Sequence, residues 1–141
     1  MADYSGIKGF TVQTLSSDPY ATAAASGTWS SGGAMSTTRQ QGATAQAAPQ
    51  TAGQIAGGGG PGSLTALGEQ YDGSSWSEVG DLQTARFGQA GTGTQTAALS
   101  GGGFTTTWVT ATEEWNGSSW ATGNSMLSAR FQMACAGTQT S

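Results

Sequence analysis

Tyr71-Asp72-Gly73-Ser74-Ser75-Trp76 and Trp115-Asn116-Gly117-Ser118-Ser119-Trp120 decide how this chain is read. Asp-Gly and Asn-Gly tolerate the positive φ angles of a tight primed turn, so each stretch predicts a β-hairpin with an aromatic residue on either strand. Gly27-Thr28-Trp29 is a shorter version, and the three Trp residues are spaced by 47 and 44 positions. Ten residues after each Trp comes an Arg, at Arg39, Arg86 and Arg130, and six after each comes Met35, Leu82 or Met126. Thr84-Ala85-Arg86-Phe87 returns as Ser128-Ala129-Arg130-Phe131, and Gly93-Thr94-Gln95-Thr96 as Gly137-Thr138-Gln139-Thr140. Glycine blocks, Gly57 to Gly60 and Gly101 to Gly103, precede the two full hairpins. The chain is therefore an array of a repeated unit.

Composition explains why a repeat is needed. Gly, Ala, Thr and Ser fill 84 of the 141 positions, whereas Leu, Ile, Val and Phe supply only 15. An ordinary aliphatic core cannot be built from so few. Disorder fits poorly as well, because 12 aromatics, five of them Trp, accompany only 12 charges. The net charge is −4, with Lys8 and the three repeat Arg residues as the only cations, so no basic patch for nucleic acid is expected. With no His and a single thiol, Cys135, the inventory rules out His-based zinc sites, Ser-His-Asp and Cys-His pairs and an internal disulfide, and no cofactor or metal is expected. No apolar run is long enough to span a bilayer and the first residues do not read as a signal peptide, so neither membrane insertion nor a cleavable leader is expected.

Strand signals follow the same phase. The Arg-bearing segment, the run Thr94 to Ser100, the stretch Thr105 to Thr112 and the two halves of each hairpin read as strands, giving four strands in about 45 residues, the size of one propeller blade. Only the Ala-rich stretch 43–56 hints at a helix, and Pro49 and Gly53 interrupt it. Glycines at 58–59, Tyr71, Trp76 and Arg86, then glycines at 101–102, Trp115, Trp120 and Arg130, form a pattern that resembles the kelch repeat family. That resemblance implies an all-β fold of kelch-like β-propeller blades, about three repeats of 44–47 residues in an incomplete ring. Residues 38–79 and 85–123 make complete blades, Arg130 to Thr140 supplies a first strand, and residues 9–29 are expected to supply the rest of that blade. Either a longer chain or assembly of several copies is then expected to cover the open ends.

The opening residues 1–20 stand outside the compositional bias, with Ile7, Phe10, Val12 and Leu15 close together. Such a start, ahead of a Thr/Gly/Ala-rich kelch-like array, resembles virion proteins of marine and cyanobacterial tailed phages. The resemblance implies an N-terminal virion-attachment segment (1–20), a closing strand pair and linker (21–37) and the repeats (38–141). It also implies a role in the virion as a tail-fibre, baseplate or surface-adhesin component. The partners expected are other virion proteins, further copies of the chain with a trimer favoured, and a host receptor or glycan. A glycan- or receptor-binding module and a capsid decoration or head-fibre protein are the alternatives.

Trp29, Trp76, Trp120, Tyr71 and Trp115 are expected to pack between blades, supplying the area that aliphatics do not. Arg39, Arg86 and Arg130 are expected to span strand ends and bond backbone carbonyls or a carboxylate in the adjoining blade. The glycine blocks lack the Gly-Lys-Ser/Thr of a phosphate loop. Glu113-Glu114 and Asp72 with Glu69 are the local acid pairs, but neighbours on a strand face opposite ways, so no enzyme and no catalytic residue is expected. A galactose-oxidase-like fragment would need His and Tyr-Cys copper chemistry. Cys135 reads as a buried residue of an inner strand. The connections where the repeats diverge, Pro61 to Leu67 and Thr105 to Val109, are the candidate contacts, above all Pro61, Gly62, Ser63, Thr105, Thr106, Thr107 and Trp108.

Overall fold

A computed structural model describes residues 31–60 and 62–139. Among them there is no helix; the chain forms two four-stranded antiparallel sheets. The first runs β1 (Ala43–Thr44), β2 (Gln54–Gly60), β3 (Ser63–Tyr71) and β4 (Trp76–Val79), and the second β5 (Ala90–Gly93), β6 (Ala98–Gly101), β7 (Thr112–Trp115) and β8 (Trp120–Thr122). Strand order equals chain order in both, so each sheet is a simple meander. Among the described residues the array is open and does not close on itself. Residues 1–30 and Pro61, and with them the attachment segment, Trp29 and most of the closing strand pair, lie outside the described residues.

The two hairpins form where the aromatic pairs predict them. Tyr71 pairs with Trp76 and Trp115 with Trp120, with ring centroids 5.3 and 5.5 Å apart. Their reversals differ from the expected primed turn. Positive φ is confined to Gly73 and Gly117, and the side chains of Asp72 and Asn116 accept from the amides two and three residues on, all within 2.8–2.9 Å. The Asx side chain thus takes over amides that a two-residue turn would have left to the backbone.

Several expected strands are turns. Thr94 to Ala97 reverses the chain between β5 and β6, with the Thr94 amide donating to the Ala97 carbonyl and the Ala97 amide to Thr94 Oγ1. Thr105 to Ala111 is a loop, because the Phe104–Trp108 bridge folds it back before β7 begins. Ser63 to Leu67, expected in a loop, belong to β3. Arg39 and Arg86 precede the strands they were expected to occupy, and residues 130–139 form no strand. The Ala-rich stretch is β1, a turn and the start of β2. Cys135 is half-buried and outside any strand.

The core lies between the sheets. Ala56 of β2, Leu82 of the linker and Ala98, Trp115 and Trp120 of the second sheet are buried together, with Ala45, Ala66 and Val79 packed against them. Trp115 is 1 % exposed. Two indoles, each worth about 3–5 kcal/mol on deletion, do the work that a row of aliphatics does elsewhere. Tyr71 and Trp76, in the equivalent places of the first sheet, are only half-buried.

Backbone bonds between copies repeat as faithfully as the side chains. Gly58 donates to the Arg86 carbonyl and Gly103 to that of Arg130, both at 2.8 Å. The left-handed φ of Gly57 to Gly59 and of Gly102 and Gly103 turns these amides toward the next copy, which is why the blocks are glycine. Two residues after each Arg the chain is again left-handed, at Gln41, Gly88 and Gln132, with φ of 56, 65 and 52°. There Gly88 donates to Gln41 at 2.9 Å and Gln132 to Gly88 at 2.8 Å, a ladder joining all three copies. At Gly91 the sheets touch so closely that a Cβ would stand 2.5 Å from the Thr44 nitrogen and 2.8 Å from the Ala43 Cβ.

Gly91→Ala is therefore expected to part β1 from β5 and cost about 1–3 kcal/mol in urea unfolding. Gln132→Gly, which matches the second copy, is expected to gain about 0.5 to 1 kcal/mol by relieving the left-handed side chain.

Candidate functional site

Each complete copy carries one buried ion pair built in the same way. Arg39 bonds Glu69, and its second terminal nitrogen reaches the Leu67 carbonyl at 2.5 Å. Arg86 bonds Glu113 at 2.7 Å and the Ala111 carbonyl at 3.1 Å. The other carboxylate oxygen accepts an amide three residues before the Arg: Ser36 at 2.8 Å in one copy, Gln83 at 2.6 Å in the other. All four charged side chains are at most 3 % exposed. The carboxylate sits on the third strand of the Arg's own sheet, not in the adjoining one as expected. Spacing explains this, since the segment before β1 or β5 crosses the end of its own meander and meets β3 or β7 there.

Burial would raise the Glu69 carboxyl, but the Ser36 amide and the Arg39 guanidinium outweigh it and hold the group below the usual carboxylate range. Burial likewise pushes Arg86 down, and the Glu113 charge opposes it. A guanidinium stays protonated in either case. On the surface, the amides of Ser75 and Ser74 hold the Asp72 carboxyl at about 2, from an ordinary 3.8.

A third polar device ties the sheets together. Gln95, from the repeated Gly-Thr-Gln-Thr, accepts from Gln70 Nε2 at 2.8 Å and from Trp115 Nε1 at 2.9 Å, and donates to the Tyr71 carbonyl at 2.9 Å. Gln139, its counterpart, reaches Glu114. Glu114 is exposed while Glu113 beside it is buried, so the two carboxylates face opposite sides of β7 and cannot act as a pair. Among the described residues no three potential metal ligands come together, and no helix is long and apolar enough to cross a membrane.

The candidate contacts fall in equivalent connections of the two sheets. The β2–β3 turn exposes Gly62 and Ser63, and Pro61 lies outside the described residues. The much longer β6–β7 connection is pinned at its base, where Val109 donates to the Gly103 carbonyl at 3.0 Å, and projects Thr106, Thr107 and Trp108 into solvent, with Thr105 half-buried. Trp108 is 63 % exposed and lies parallel to Phe131, at 4° and 6.4 Å between centroids. Phe131 in turn meets Phe87 and Phe104 edge to face. An exposed indole on a fixed aromatic base is a ready-made contact surface, and the base is what sequence reasoning missed. Its signal was present in the Phe that follows Arg86 and Arg130. The Glu residues of the ion pairs were also legible, each standing seven positions before Trp76 or Trp120.

Compared with protein-family models and with curated proteins, the chain matches none.

Removing one partner of a buried pair leaves the other charge unpaired, so Arg86→Met and Glu113→Gln are each expected to cost about 3–5 kcal/mol, and the double variant less than their sum. Chemical denaturation of the four proteins checks this. Carboxyls held below their unfolded values add stability above the ordinary carboxylate range, and that stability is lost as pH falls through the folded values. The thermal midpoint is thus expected to fall from about pH 4 toward about pH 2, and Asp72→Asn to flatten the lower end of that limb.

Proposed function

We propose that this chain is a structural component of a tailed-phage virion, in a tail fibre, baseplate or surface adhesin. Each four-stranded sheet is read as a kelch-like propeller blade, and the repeat array serves as a scaffold that holds a recognition face outward. Residues 1–20 attach the chain to other virion proteins, and copies associate, with a trimer favoured. The face that meets a host receptor or glycan is the β6–β7 connection.

One observation carries the reading: Trp108 is exposed yet held flat against Phe131, in the connection where the copies diverge most. Exposed, pre-oriented Trp residues suit partner contact, because their large rigid surface loses little entropy on binding, and an indole face stacks on the apolar face of a sugar ring. Carboxylates locked in ion pairs or facing opposite ways support a physical rather than a chemical role.

Glycan-array and host-cell binding by the full chain tests the proposal. Trp108→Ala is expected to lower retention at least tenfold while the thermal midpoint moves by no more than a few degrees; unchanged retention would take the contact away from this face. Particles made with a chain lacking residues 1–20 are expected to have lost it, and normal incorporation would refute attachment through that segment.

A further inference from the structure

A narrow cavity between the two sheets brings together polar groups that the fold leaves unbonded. Gln54, the first residue of β2, is 4 % exposed, and among the described residues neither its Oε1 nor its Nε2 has a hydrogen-bond partner. The indole Nε1 of Trp120, on β8, is buried to the same extent and is likewise unpartnered, whereas that of Trp115 donates to the Gln95 carbonyl. Gln54 and Trp120 line the same cavity, with Ala43, Gly91 and Ala98 among its other walls. The space it offers to the centre of a water molecule is about 10 Å³, the lower end of what one water requires. Packing alone does not ask for a polar residue there. Gln54 faces Gln70, which precedes Tyr71, as Leu99 faces Glu114, which precedes Trp115. Leu99 is therefore the counterpart of Gln54 in the second sheet, and it lines the cavity from the opposite side.

We propose that this cavity is a binding site for one structural water, which accepts from the Trp120 indole N–H and donates to Gln54 Oε1. A buried carboxamide and a buried indole N–H each cost free energy while unbonded, and a single bridging water satisfies an acceptor and a donor at once. The walls favour this occupant. No acidic or basic residue lines the cavity, so an ion would find no counter-charge, and the volume admits nothing larger than water. The bridge links β2 of the first sheet to β8 of the second, and so adds to the junction a polar tie that the chain alone does not make. Gln54 is then a positioning residue for the water, and Leu99 across the cavity keeps the opposite wall apolar.

The test measures magnetisation transfer from water to the Trp120 indole N–H in the isotope-labelled full chain by NMR. A cross-peak of opposite sign in NOE and ROE spectra is expected, which separates a held water from proton exchange. Gln54→Leu, which installs the residue of the second copy, is expected to abolish that cross-peak while the thermal midpoint moves by no more than a few degrees. A chain without the cross-peak, or a cross-peak undiminished in Gln54→Leu, would overturn the proposal. If Gln54→Leu does not fold, a high-resolution crystal structure of the unaltered chain decides. An ordered water within about 3.2 Å of both Trp120 Nε1 and Gln54 Oε1 is the expected result. A direct bond between the two side chains, or either one turned onto another protein group, would contradict it.

Discussion

A guanidinium taken out of water needs a counter-charge and acceptors for its terminal nitrogens, and in this protein that demand positions the remainder, although Arg39 Nε and Arg86 Nε stay without a partner among the described residues. Arg39 and Arg86 each take a carboxylate and a carbonyl from the third strand of their own sheet. The same carboxylate then takes an amide from the segment that leads to the Arg. One side chain thereby fixes the start of a meander against its third strand, across 27 to 30 residues of chain. A buried pair adds little net stability by itself, since desolvation consumes most of the attraction. Its value is geometric: an arrangement that moved Glu69 or Glu113 away from its Arg would leave a guanidinium buried without its counter-charge, which is costly.

Around that clamp the scarce large residues are spent at junctions. Leu82 reaches over the glycine block of the first sheet and Met126 over that of the second, with atoms 2.8 Å from where a Cβ of Gly57 would stand and 3.0 Å from that of Gly102. Trp115 and Trp120 close the space between the sheets, and Gln95 bonds both sides of it. Such a division suits a module that must be rigid without a thick core. It leaves the connections free to vary, and the β6–β7 connection has used that freedom to display Trp108.

The repeat phase was legible because Trp, Arg and Asn/Asp-Gly are rare and chemically distinct against a background of Gly, Ala, Thr and Ser. Both hairpins, and the meander order around them, follow from that phase. Strand edges were not legible: Thr-rich segments have the same propensity whether paired or turning, so Thr94 to Ala97 and Thr105 to Ala111 read as strands until their side-chain and bridge contacts are known. The Arg residues were legible as repeat elements but their partners were misplaced, because periodicity gives no information on which sheet a long side chain enters. Counting back seven from Trp76 and Trp120 would have found Glu69 and Glu113. The Trp108 platform depends on Phe131 meeting a loop more than 20 residues earlier, a contact that local pattern does not encode.

Native-state amide hydrogen exchange at Ser36 and Gln83 tests the central claim most directly. Both residues are exposed and outside every strand, and among the described residues the bond to a buried carboxylate is what protects their amides. If the clamp organises the fold, these two amides exchange with the free energy of global unfolding, alongside the paired amides of β3 and β7. Exchange at the low free energy of the surrounding linker would show that the ion pairs decorate a fold held by other means.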